Sequence, residues 1–163
     1  MKVFLKNNYI FVLTILVIQI AVLNSCTQAN LFEKNTTIPN LKWQSNYNAT
    51  GSIEITDTTS LYNVYLVLRH TDAYNYNNIW LNIGLQTPGD SMLYQKINFT
   101  LGNDATGWEG IGMSDIWEVR KPISGIGMAF TKKGTYHFSI AHIMRDNPLP
   151  NIMSVGMRLE KIK

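Results

Sequence analysis

Asn78-Ile79-Trp80-Leu81-Asn82-Ile83-Gly84-Leu85-Gln86 decides the fold. Ile79, Leu81, Ile83 and Leu85 fall on one side of an extended chain, and Trp80, Asn82, Gly84 and Gln86 on the other. A period of two is what a half-buried strand requires, because successive side chains point to opposite sheet faces. The pattern recurs outward from this segment. Val64, Leu66 and Leu68 alternate with Tyr65, Val67 and Arg69, and Leu93, Gln95, Ile97, Phe99 and Leu101 oppose Tyr94, Lys96, Asn98 and Thr100. Tyr136, Phe138, Ile140, His142 and Met144 share one side, and Val155, Met157 and Leu159 oppose Gly156, Arg158 and Glu160. Turn-forming clusters at 57–60, 75–78, 87–90, 102–107, 132–134 and 146–151 separate these runs. With strands expected near 51–57 and 115–121, the tally is about seven, and no segment keeps a helical period. Many one-sided strands are covered by packing two sheets face to face. The expected fold is therefore all-β, an antiparallel β-sandwich of Ig-like or jelly-roll-like kind.

The N-terminus carries a different signal. Lys2 and Lys6 precede an apolar stretch over 9–22 broken only by Thr14 and Gln19, and Leu23-Asn24-Ser25-Cys26 follows, holding the only cysteine. A basic leader, a short apolar core and a small residue before the cut form the three parts of a secretory signal. The core is too short to span, since ~20 apolar residues are needed to cross ~30 Å of hydrocarbon. A lone cysteine in an exported chain makes no internal disulfide. Leu23 to Cys26 reads as a lipobox, with Cys26 as the lipidation site and new N-terminus. The expected division is a cleaved signal peptide over 1–25, a lipidated tether over 26–42 and a sandwich domain over 43–163. Two or three acyl chains hold such a protein at a membrane, because each buried methylene contributes ~0.8 kcal/mol.

Cleavage removes Lys2 and Lys6, leaving 12 basic residues against 11 acidic ones. No basic stripe remains to neutralise phosphates, so a nucleic-acid partner is not expected. Catalytic signals are thin. His70, His137 and His142 are the only histidines, and the last two point to opposite faces of one expected strand. No G-x-S-x-G, H-E-x-x-H or P-loop is present. No enzyme activity, metal or cofactor is expected. Gly110-Ile111-Gly112-Met113 recurs as Gly125-Ile126-Gly127-Met128 and reads as loop or bulge, with no strand before and helix after it to cradle a phosphate.

Two clusters leave hydrophobic strands with Arg followed closely by Asp: Arg69-His70-Thr71-Asp72-Ala73-Tyr74-Asn75-Tyr76 and Met144-Arg145-Asp146-Asn147-Pro148-Leu149-Pro150. Strand exits gather at the ends of a sandwich, so both loops are candidates for one polar, aromatic surface. Arg69, His70, Asp72, Tyr74, Tyr76, Arg145, Asp146 and Asn147 are the candidate partner-binding residues. The plainer alternative is that Arg69 and Arg145 cross-pair with Asp72 and Asp146 to tie down the two loops. Trp80, opposite the apolar face of its strand, is the best candidate for stacking on a sugar, which makes a glycan-binding envelope lipoprotein the alternative function.

Several blocks together resemble the GldH family of gliding-motility lipoproteins of Bacteroidetes. They are Phe32-Glu33-Lys34, Ile38-Pro39, Leu68-Arg69-His70-Thr71-Asp72-Ala73-Tyr74, Asn78-Ile79-Trp80-Leu81, Gly134-Thr135-Tyr136 and Met144-Arg145-Asp146-Asn147-Pro148-Leu149-Pro150. The resemblance implies a non-enzymatic accessory or assembly component of the gliding apparatus, linked to type IX secretion. Its expected place is the outer membrane, facing the periplasm, with other envelope or gliding-machinery proteins as partners. Asp57-Thr58-Thr59 and Asp90-Ser91-Met92 look like the O-glycosylation acceptor of Bacteroidetes, giving Thr58 and Ser91 as candidate acceptors.

Overall fold

The computed structural model describes residues 31–125 and 127–162. The expected lipidation site Cys26 and the expected signal peptide lie outside the described residues. Eight long strands form the body: β1 (Leu31–Thr37), β3 (Ala49–Ile55), β4 (Leu61–Thr71), β5 (Asn78–Gln86), β6 (Leu93–Thr100), β10 (Ile116–Pro122), β12 (Gly134–His142) and β14 (Ile152–Lys161). Six short strands decorate it: β2 (Lys42–Trp43), β7 (Gly102–Asn103), β8 (Gly107–Trp108), β9 (Ile111–Met113), β11 (Met128–Ala129) and β13 (Leu149–Pro150). Among the described residues the one helical element is a 3-10 turn, Pro39–Leu41.

One sheet runs β1-β14-β4-β10-β9, with β11 also on β4, and the other runs β3-β12-β5-β6. All pairings are antiparallel, and the long strands pair in nested fashion: β1 with β14, β3 with β12, β4 with β10, β5 with β6. A chain nested in this way is one long hairpin rolled into two sheets, which is a jelly roll. The expected sandwich is present, and of the two kinds considered the strand order selects the jelly roll.

The core fills the space between the sheets. Leu66, Leu68, Val155 and Leu159 from one sheet meet Ile79, Leu81, Phe138 and Ile140 from the other, all buried. The alternation seen in the sequence is the origin of this layer. The outer face of the first sheet is instead a charged ladder, in which Arg158 bridges Glu33 (2.9 Å) and Glu160 (2.6 Å), and Glu118 takes both Arg69 (2.6 Å) and Arg120 (2.9 Å).

Two expectations change. Residues 31–37, read as part of a tether, form β1, paired with β14 over seven residues, and Ile38 behind it is 1% exposed. Strand β1 is an edge strand held by backbone hydrogen bonds, so it needs few apolar side chains and leaves little trace in the sequence. Strand β6 keeps its alternation, but it too is an edge, and Leu93 is 77% exposed.

Because the strands run antiparallel, the connections sort to two ends. The loops 56–60, 87–92, 123–125 and 130–133 and strand β11 lie at the end where β1 begins, here the entry end. The far end carries 38–48, 72–77, 101–115 and 143–151, together with β2, β7, β8, β9 and β13.

Candidate functional site

Both Arg-Asp clusters exit at the far end, since β4 and β12 each finish there. The structure brings them into contact. Tyr76 Oη donates to Asp146 Oδ2 (2.7 Å), and Asn151 Nδ2 donates to the Ala73 carbonyl (2.7 Å). The Thr71 N–H donates to the Asn151 carbonyl (3.0 Å), while the Asn151 N–H donates to the Leu41 carbonyl (2.7 Å). Asn151 has a left-handed backbone (φ 67°) that Asn tolerates better than most residues. It ties three loops at once. Sequence reasoning placed it in a turn and missed that role, although an Asn flanked by two short apolar runs is a usual sign of such a backbone.

The candidate residues separate into two groups. His70 is 0% exposed and Tyr74 3% exposed, so neither presents its side chain to a partner. They continue the inward side of β4 into the loop, where His70 packs edge-on against Trp108 (4.6 Å between ring centroids) and beside Tyr74 (5.6 Å). Tyr74 Oη donates to the Asn78 carbonyl (3.1 Å), and burial pushes its phenol well above the ordinary range. Arg69 is exposed, but on the outer face of the first sheet, where its Nε donates to Glu118 Oε2 (2.7 Å). It does not pair with Asp72, and Asp146 takes Tyr76 rather than Arg145. The expected cross-pairing of Arg69 and Arg145 with Asp72 and Asp146 is thereby corrected: the partner of Arg69 is Glu118 from the neighbouring strand β10.

The other group stays at the surface. Asp72 is exposed, and its N–H donates to the Asp115 carbonyl (2.8 Å). Asn147 is exposed, and its Oδ1 accepts from the Ser45 N–H (2.9 Å). Tyr76, Arg145, Trp80, Ile143 and Met144 line a shallow depression of about 340 Å³. Trp80 is 43% exposed and Ile143 40% exposed. Trp80 is fixed from behind by its backbone, whose carbonyl accepts from the Ile143 N–H (2.9 Å) and whose N–H meets Met144 Sδ (3.3 Å). The hydrogen bond to Asp146 raises the Tyr76 phenol above its usual pKa. The depression thus combines Trp, Tyr and Arg, the side chains that most often dominate protein contacts.

Among the described residues no group of three or more His, Cys, Asp or Glu stands where it would hold a metal ion. His137 is exposed and His142 is 1% exposed, on opposite faces of β12. At the entry end, Asp57 accepts from the Thr59 N–H (2.9 Å), Thr59 Oγ1 (2.7 Å), Ser60 Oγ (2.7 Å) and Lys161 Nζ (2.6 Å). Lys161 above all, then the hydroxyls, hold its carboxyl far below the usual range. Thr58 is half-buried beside it, and Ser91 is exposed in the 87–92 loop.

The buried histidines make stability depend on pH. His70 Nδ1 donates to the Thr71 carbonyl (2.8 Å) and His142 Nε2 to the Trp43 carbonyl (2.9 Å), leaving each ring neutral. Burial lowers both pKa values, although each hydrogen bond to a carbonyl partly opposes it. Above the unfolded pKa of about 6.5 both states are neutral, and below it the unfolded chain takes up protons that the folded one refuses. Stability is therefore complete above about pH 6.5 and declines as pH falls below it. Thermal unfolding midpoints at pH 7.5 and 5.0 are expected to differ, the acidic one being lower; equal midpoints would contradict the buried neutral pair.

A family model described as GldH lipoprotein matches residues 30–159. The chain belongs to the GldH lipoprotein family. Among curated relatives, a gliding motility lipoprotein GldH homolog of Christiangramia forsetii is 24% identical over 94% of this chain and 94% of its own. Gliding motility lipoprotein GldH of Flavobacterium johnsoniae is 25% identical over 90% of this chain and 94% of its own. Of solved structures, the infectious bursal disease virus VP2 subviral particle is similar over 81% of this chain but only 32% of its own, at 14% identity and a TM-score of 0.37. In this GldH-family chain the Arg69–Tyr74 block divides between core and outer sheet face, whereas Tyr76 and Arg145 reach the depression.

Proposed function

We propose that this protein is a non-enzymatic accessory component of the gliding-motility apparatus, linked to type IX secretion. Lipid on Cys26 holds it at the periplasmic face of the outer membrane, and the far end engages another envelope protein. The family and the names of its two relatives support the motility role. The observation that carries the choice of surface is the depression in which Tyr76 and Arg145, from two separate loops, flank an exposed Trp80. Asp146 stands beside it through its hydrogen bond to Tyr76, and Asp72 and Asn147 are exposed at the same end. Confinement at a membrane raises the concentration of a binder near its partners, so a contact this small suffices. Thr58 and Ser91, at the opposite end, are proposed as O-glycan acceptors clear of that contact.

The test is a Trp80→Ala, Arg145→Ala double variant, expressed in a gliding bacterium deleted for its own family member. Trp80 is only 43% exposed, so the unfolding midpoint of the double variant is measured first and spreading is read from a folded protein. Protein level and membrane association should match the unsubstituted protein while colony spreading is lost. Normal spreading would remove the depression from the function.

Glycan binding through the exposed face of Trp80 is the alternative. Titration calorimetry against envelope polysaccharides separates the two, and absence of heat across a broad panel eliminates it.

A further inference from the structure

At the entry end a cavity of about 610 Å³ opens between the sheets, a size typical of sites for small molecules (~300–1,000 Å³). Val64, Met157 and Leu159 line it from one sheet, and Ile53, Ile83 and Leu85 from the other. Leu93 and Tyr94 stand on the edge strand beside it, 77% and 57% exposed. Among the described residues no charged side chain contributes to its wall, and its polar groups come from Thr87, Tyr94, Gln95 and Ser124. The Ser124 hydroxyl already accepts from the Val64 N–H (3.3 Å).

These walls define the ligand. An aliphatic void does not hold water well, and its lining atoms lack dispersion partners on one side until something apolar enters. With no cation in the wall, a carboxylate or phosphate would be desolvated without compensation inside. The fitting ligand is a hydrocarbon chain whose polar end stays at the mouth.

The chain's own course suggests where that hydrocarbon comes from. Strand β1 begins with Leu31 at this same end, and Cys26 is five residues before it. Five extended residues reach up to about 17 Å. Only β14 lies between β1 and β4, so about 10 Å of sheet separates the start of β1 from the strand that carries Val64. A groove lined by Leu31, Phe32, Glu54, Asp57 and Lys161 adjoins the cavity, with Ile53 and Leu159 in the walls of both.

We propose that the cavity is an acyl-chain site, and that a fatty acyl chain attached to Cys26 occupies it. The acyl-site assignment rests on the cavity alone; the source of the chain rests on the lipidation proposed above. With one chain withdrawn into the domain, the remaining chains hold the bilayer.

All described strands lie within 31–162, so a chain starting at Thr27 carries the whole described fold. That 27–163 chain should bind cis-parinaric acid, a fluorescent fatty acid, at one equivalent. Leu85→Trp, which fills the cavity, should weaken binding at least tenfold without lowering the unfolding midpoint. Ile97→Trp, on the edge strand, serves the same purpose if the first variant is unstable. No binding by the 27–163 chain, or undiminished binding by a folded cavity-filling variant, overturns the site. The source is tested on the membrane-extracted full protein in phospholipid nanodiscs. Amides of β5 and β6 should exchange at least tenfold more slowly there than in the 27–163 chain, and the difference should vanish with Leu85→Trp. Equal exchange overturns the assignment to the anchor and gives the cavity to a lipid from outside. Intact mass of the same preparation reports separately whether Cys26 is acylated.

Discussion

Replacing Trp43 by alanine is expected to lower stability by about 3–5 kcal/mol, the range for deleting a buried aromatic side chain. Trp43 is 0% exposed, and its Nε1–H donates to the Tyr47 carbonyl (2.8 Å). Its ring meets His142 edge-on at 5.3 Å, its carbonyl accepts from His142 Nε2 (2.9 Å), and β2 pairs it with Leu149. Removing the indole opens a void and also loosens the backbone that keeps a buried histidine satisfied. For a domain of this size the loss corresponds to roughly 10–20 °C in the unfolding midpoint. Trp43→Phe keeps most of the volume and should cost less than half as much, so the pair separates packing from the hydrogen bond. A denaturant midpoint for Trp43→Ala within about 1 kcal/mol of the parent would show that the far-end loops do not depend on this anchor.

Gly156→Val should be nearly as damaging, for a reason confined to sterics. A Cβ at Gly156 would overlap the Lys34 carbonyl oxygen and lie 2.7 Å from Asn35 Cα, both backbone atoms of β1. Backbone in a paired strand has no rotamer through which to yield. The expected outcome is displacement of β1 from β14 and a loss of about 3 kcal/mol or more, at the upper end for overpacking. Hydrogen exchange is the direct measurement: β1 amides should lose protection while those of β5 and β12 keep most of theirs. Retained protection along β1 would mean that the sheet tolerates the side chain.

The sandwich itself was legible because its core strands are one-sided, as in 78–86, where each apolar residue of the pattern is buried or half-buried and Trp80 faces out. The edges were less legible. Strand β1 is specified by pairing with a segment more than a hundred residues away, and such pairing leaves no local period. The candidate surface divides in the same way. That the two loops share an end followed from antiparallel strand direction, but which of their side chains reach solvent depended on partners from elsewhere: Glu118 for Arg69 and Trp108 over His70. Val67 also departs from the simple pattern, being 1% exposed on the outward side of β4 in register between Gly156 and Arg120.

Nesting of the first long strand against the last sets how the domain carries mechanical load. In the proposed arrangement, held by a partner at its far end and by the lipid tether before β1, the domain would be pulled along the axis of that strand, from its N-terminal tip. All seven register positions shared with β14 resist together in shear, instead of parting one rung at a time as they would in peeling. Attachment at the opposite tip would reverse that geometry and unzip the same ladder under a smaller force.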